Sequence, residues 1–117
     1  MQDYKRLKVW ERSHELTLKI YKLSKTFPKE EQYGVTSQIR RAAYSVPSNI
    51  AEGCGKRSAL DTGRFFQIAL GSANELEYFL ILTKDLGYYL EKEFDLLYNN
   101  VNEIKAMLLS LISKVIK

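Results

Sequence analysis

Proline and glycine are scarce in this chain: two prolines, Pro28 and Pro47, and six glycines punctuate 117 residues. That is too few breaks for a sandwich or barrel of short strands, and it leaves room for long helices. Cysteine is scarcer still. The one thiol, Cys54, cannot close an internal disulfide, and with one imidazole, His14, it falls short of the ligand set of a structural zinc. A lone cysteine fits a reducing compartment. No stretch reaches the roughly 18 apolar residues of a membrane span, and the opening MQDYKRLKVW is charged and lacks the apolar centre of a secretory signal. A cytoplasmic protein without membrane contact is expected.

Catalytic constellations are equally thin. His14 has no partner placed by sequence, so a helix-face or interface role fits it better than a general base. The segment Gly53-Cys54-Gly55-Lys56-Arg57-Ser58 lacks the spacing of a phosphate-binding loop and follows a helical pattern instead of a strand. Cys54 beside Lys56 and Arg57 has two readings, a thiol of lowered pKa or a small residue closing a helix. The expectation is a binding protein with no catalytic residue, no metal and no cofactor.

What the chain does have is grease at helical intervals. It is 45% hydrophobic with 14 aromatic rings, enough to fold as one domain. Val9, Ser13, Leu16, Ile20, Leu23 and Phe27 alternate by four and three, and Phe27-Pro28 ends that helix. Val35, Ile39, Ala42, Ala43, Val46 and Ile50 mark a second helix and Phe94, Leu97, Val101, Ile104, Leu108, Leu111 and Val115 a fourth. Between them Ser58 reads as an N-cap and Gly87 as a left-handed stop. The pattern predicts an all-α, antiparallel up-down-up-down four-helix bundle with helices at about 8–26, 34–53, 58–86 and 91–116.

Two features of this pattern are unusual. Pro47 stands inside the second helix, which must kink or split there, with Ser45, Ser48 and Asn49 placed to satisfy the freed backbone. The third helix is apolar on nearly every side around residues 76–82, more than a lone bundle can hide, which predicts self-association. Its stripe Phe65, Ile68, Ser72, Glu75, Phe79, Leu82, Leu86 puts a carboxylate among apolar neighbours. A buried polar network of Ser45, Pro47, Ser48, Asn49, Glu52, Ser72 and Glu75 is therefore expected. Gly71, beside Ala69, Ser72 and Ala73, suggests a tight crossing against the helix that carries Pro47.

Charge is unevenly spread. Residues 1–64 hold 13 Lys and Arg against 7 Asp and Glu, whereas residues 65–117 hold 5 against 7. An anionic partner would dock on the first half. Candidate phosphate contacts are Arg40, Arg41, Lys56, Arg57 and Arg64, with the row Lys8, Arg12, Lys19 and Lys22 as a second surface. That row also reads as a solvated helix face, and Arg40 and Arg41 as structural ion-pair partners.

The run Gln38-Ile39-Arg40-Arg41-Ala42-Ala43-Tyr44-Ser45-Val46-Pro47-Ser48-Asn49-Ile50-Ala51-Glu52-Gly53 closely resembles the signature of a bacterial four-helix bundle family. That family is named after proteins encoded in intervening sequences of 23S ribosomal RNA genes. Leu7-Lys8-Val9-Trp10, Phe27-Pro28 with Tyr33-Gly34, Ala69-Leu70-Gly71-Ser72 with Glu75-Leu76-Glu77, and Gly87-Tyr88 stand where the family has similar words. The resemblance implies a homo-oligomeric ring, typically a pentamer, without enzymatic activity. It is similar to the accessory variability determinant protein of diversity-generating retroelements, a basic barrel that binds RNA and a reverse transcriptase. RNA of the ribosomal intervening-sequence type is the implied partner. The alternative is a scaffold docking a partner enzyme such as a reverse transcriptase-like protein.

Overall fold

The computed structural model describes residues 2–115. Four helices carry most of them: α1 (Lys8–Ser24), α2 (Val35–Cys54), α3 (Ala59–Asp85) and α4 (Glu91–Val115), with 3₁₀ turns at Tyr4–Arg6 and Lys29–Glu31. No strand occurs among the described residues, and the expected end of the fourth helix at 116 lies outside them. Each helix touches the next in the chain and α4 returns to α1, while the diagonal pairs stay apart. This is the contact pattern of a four-helix bundle. Along α1 and α2 the pairings run in opposite sense, Thr17 meeting Ala43 and Ser24 meeting Arg40.

The apolar rows of α1, α2 and α4 form the core. Val9, Leu16 and Ile20 close against Ile39, Val46 and Ile50, and against Leu97, Val101, Ile104 and Leu108. Near the end of α4 the buried row steps to Ile112 instead of Leu111.

For α3 the buried row is not the expected one. Phe66, Ala69, Ala73, Leu76, Leu80 and Thr83 face the core. The row Ile68, Glu75 and Leu86 is exposed, and Phe65, Ser72, Phe79 and Leu82 are only half-buried. Both rows alternate by three and four, so periodicity cannot choose between them. Ala69 and Ala73 in the buried row leave room for a close neighbour, while Phe66, Leu76 and Leu80 of the same row fill the core above and below them. The tight crossing also lies elsewhere than expected: a Cβ on Gly71 would meet nothing within 4 Å. On Gly53 it would stand 3.0 Å from the Phe66 ring and 3.1 Å from the Phe65 Cβ.

Helix α2 runs unbroken through Pro47, which is buried. Proline has no N–H, so the carbonyl four residues back, on Ala43, loses its helical partner. The hydroxyl that reaches it comes from another helix. Thr17 Oγ1 on α1 lies 3.1 Å from the Ala43 carbonyl and 2.8 Å from the Ser13 carbonyl. Ser13 already receives the amide of its own helix, so the Thr17 proton is worth most at Ala43.

Short caps and one carboxylate fix the connections. Ser58 Oγ accepts from the Asp61 amide at 3.1 Å. Gly87 at φ +80° closes α3, with the Tyr88 amide returning to the Thr83 carbonyl and the Gly87 amide to Lys84. Tyr88 Oη donates to Glu31 at 2.6 Å, and the other Glu31 oxygen lies 3.4 Å from the Val35 amide at the start of α2. One carboxylate thus ties the α1–α2 connection to the α3–α4 turn, over Phe27 stacked on Tyr89.

Thr17→Val should cost about 1–3 kcal/mol of unfolding free energy by leaving a buried carbonyl unpaired. In a Pro47→Ala background, where Ala43 regains a helical partner, the cost should shrink, and chemical denaturation of the four proteins measures this coupling. The hydrogen bond to Glu31 pushes the Tyr88 phenol from 10.0 up to about 12. Since the folded pKa is the higher, this bond stabilises fully below about pH 10 and is lost as pH climbs through about 12. Alkaline absorbance titration should find two late-ionising tyrosines, Tyr88 and the part-buried Tyr89, and Glu31→Gln should lower the Tyr88 transition while leaving that of Tyr89 in place.

Candidate nucleic-acid interface

The bundle sorts charge between its ends. Gln2 donates its amide to the Cys54 carbonyl at 3.2 Å, which lays the N-terminal segment across the end of α2. Lys5, Arg6 and Lys8 therefore join Lys56 and Arg57 in the α2–α3 turn and Arg64 in the second turn of α3. Lys114, near the end of α4, lines a groove with Leu7 and Lys8. Against these seven cations the same end holds Asp3, Glu11, Glu52 and Asp61. The opposite end, built from the other two connections, is close to balanced: Lys22, Lys25, Lys29, Lys84 and Lys92 face Glu30, Glu31, Asp85, Glu91, Glu93 and Asp95.

Few of the cations at the basic end are committed. Lys56 lies 3.9 Å from Glu52 and 4.8 Å from the Phe65 ring centre, and Arg64 lies 3.6 Å from Asp61. All are exposed or partly exposed pairs, which hold their charges weakly. They remain able to trade a carboxylate for a phosphate.

The other candidates are scattered. Arg12 pairs with Glu103 across α1 and α4, while Lys19 and Lys22 rim a groove of about 540 Å³ floored by Leu23, Leu96 and Leu97. Arg40 is turned inward against α1: its Nε donates to Ser24 Oγ at 2.7 Å, its Nη2 to the Tyr21 carbonyl at 3.3 Å, and its guanidinium lies 4.8 Å from the Tyr21 ring centre. Arg41 is exposed and has no ion pair among the described residues.

The expected polar network does not form within the protomer. Glu75 is exposed, because the core takes the neighbouring row of α3, and none of Ser45, Ser48, Asn49, Glu52, Ser72 and Glu75 bonds another's side chain. Asn49 Nδ2 donates to the Ser45 carbonyl at 2.7 Å, Glu52 turns to Lys56, and Pro47 is served from α1.

A model of the 23S rRNA-intervening sequence protein family matches residues 5–110. The chain belongs to that family. Its fold is similar to the crystal structure of a protein of unknown function from the S23 ribosomal protein family of Bacteroides thetaiotaomicron. The TM-score is 0.83 and the identity 30%, over 89% of this chain and 97% of the other. A comparison with curated proteins returns no match.

In this intervening-sequence protein the groups that carry chemistry elsewhere are differently employed. Cys54 is buried, and burial pushes its thiol pKa up, the reverse of what nearby cations would do for a nucleophile. His14 is exposed and lies flat on Trp10, ring centres 5.2 Å apart and planes 8° from parallel. No three His, Cys, Asp or Glu side chains among the described residues are grouped to hold a metal, and no described helix is long and apolar enough to cross a membrane. Reading the sequence missed Lys5, Arg6 and Lys114 at the basic end. Their signal is topological: in a bundle of alternating helices, the start of the first and the end of the fourth share one end.

Proposed function

We propose that this intervening-sequence family protein is a non-enzymatic, self-associating RNA-binding protein that meets phosphates with the basic end of its bundle. The observation that carries this reading is the segregation of charge, with Lys5, Arg6, Lys8, Lys56, Arg57, Arg64 and Lys114 at one end. A net charge of +4 is modest for one copy, but copies set side by side pool it, and the five that the family resemblance implies would present a strongly positive rim.

Self-association rests on the outer row of α3. Ile68 is 45% and Leu86 49% exposed, and Phe79 and Leu82 continue the row between them. An aliphatic face of this kind on a helix whose other face is already buried is best covered by another chain. Each copy would bury Glu75 beside that row, and its carboxylate would then need a cation from the same or a neighbouring copy.

A second reading has its own observation. The groove under Lys19 and Lys22, with Leu90 and Leu96 exposed along it, would take a short amphipathic helix of a partner enzyme such as a reverse transcriptase-like protein. A partner that survives nuclease treatment during purification would favour this scaffold role.

Filter binding of fragments of 23S ribosomal RNA tests the leading reading. Affinity should fall linearly on a log–log plot against salt, and the Lys56→Ala, Arg57→Ala double variant should flatten that slope by about two. Absence of affinity even at low salt would remove RNA as the partner. Light scattering should return a multiple of 13.6 kDa, and an Ile68→Asp, Leu82→Asp variant should return the mass of one chain with its helical circular dichroism intact.

A further inference from the structure

The four sides of the bundle differ in chemistry, and the side between α1 and α2 is aromatic. Tyr4 meets Trp10 edge to face with ring centres 5.1 Å apart, and His14 lies flat on Trp10 at 5.2 Å. One turn further, the contact of Thr17 with Ala43 fixes the height of Tyr44, next in sequence on α2, between His14 and Tyr21 on α1. Tyr44 is 46% exposed and Tyr21 37%, with the Arg40 guanidinium over the Tyr21 ring. The line spans from Tyr4, beneath the Lys5 ammonium at 5.9 Å, to Tyr21, and only Leu18 breaks its chemistry with an exposed aliphatic side chain.

From this line we infer that the α1–α2 side is a stacking platform for the bases of a single-stranded segment of RNA. The inference rests on the RNA reading above and adds to it where the bases go and which form of RNA is taken. Three observations point to bases over a second copy of the chain. The line starts at the basic end, so a strand whose phosphates meet Lys5, Arg6 and Lys56 has its next bases beside Trp10 and His14. Two of its rings already carry cations, the arrangement that stacks a base between an aromatic plane and a guanidinium or beside an ammonium. Of the exposed aliphatic side chains only Leu18 belongs to α1 or α2, whereas Leu60, Ile68, Ile81 and Leu86 lie on or beside α3, which does not touch α1, and Leu90, Leu96 and Leu109 lie on or beside α4.

The outward face of His14 is the first open plane, because Trp10 is covered by it from one side and by the Tyr4 edge. Tyr44 is the next. A paired duplex hides its base planes and could use only the basic end. The platform therefore discriminates by strandedness, with little regard to sequence, since every base has a face to stack.

Trp10 is the sole tryptophan of the chain, so its emission reports directly on what happens at His14. The experiment titrates the full-length protein with an unstructured oligouridylate and with an RNA duplex of equal phosphate number at the same low salt. Trp10 emission and the anisotropy of a dye on the RNA are both followed. The expected result is saturable change in Trp10 emission with the oligouridylate alone, and tighter binding of it than of the duplex. Tyr44→Ala should weaken the oligouridylate by roughly fivefold to a hundredfold, the range of one stacked base, while leaving duplex affinity and the melting curve unchanged, and Tyr44→Phe should restore it. The Lys56→Ala, Arg57→Ala variant should weaken both RNAs. Equal affinity for the two RNAs with a neutral Tyr44→Ala overturns the platform and leaves binding by charge alone. If neither RNA binds, the RNA reading fails and the platform with it. If Tyr44→Ala changes the mass of the assembly without changing affinity, the side is a contact between copies and the inference is wrong.

Discussion

The close approach of α2 to α3 is the constraint from which the rest of this molecule follows. Gly53 lies against Phe65 and Phe66, and Ala69 and Ala73 are wholly buried where α3 faces the core. Helix α3 carries two apolar rows and buries one: with Phe66, Ala69, Ala73, Leu76 and Leu80 inside, Ile68 and Leu86 are left outside and Phe79 and Leu82 half-covered. Pro47 is buried as well, and there the orphaned Ala43 carbonyl takes its donor from α1. The packing of α2 against its two neighbours therefore accompanies both the surplus grease on the surface of α3 and the dependence of α2 on α1.

Much of the fold was legible in the sequence because three helices carry one apolar row each. Val35, Ile39, Val46 and Ile50, or Phe94, Leu97, Val101 and Ile104, leave no ambiguity about which face turns inward. Caps were equally readable, since Ser58 and Gly87 each do something that few residues can. On α3 two rows of the same period compete, and one-dimensional spacing carries no information about which neighbour needs room. The choice of the wrong row placed Glu75 in a core it does not enter, and the polar network built around it went with it.

The candidate site was half legible for a related reason. Composition located the excess of positive charge in the first half of the chain, but charge acts in space, and a basic half is not yet a basic surface. Arg40 has the most suggestive position in the sequence and is spent on Ser24 and Tyr21, whereas Lys8 and Lys114, near opposite ends of the chain, line one groove at the same end of the fold. The aromatic side is likewise assembled from residues far apart in number. Trp10 and Tyr44 lie on different helices and share a face only because Thr17 meets Ala43.

The segment before α1 adds a property of another kind. It is held over the end of α2 through the Gln2 amide and the Cys54 carbonyl, and beneath it the thiol is only 3% exposed. A reagent specific for sulfhydryls reaches that atom only when the segment lifts or the helix end frays. The speed of labelling is thus a clock for local opening, set in the wild-type chain at the place where three of the seven clustered cations are anchored, and any ligand that clamps the segment down should slow it.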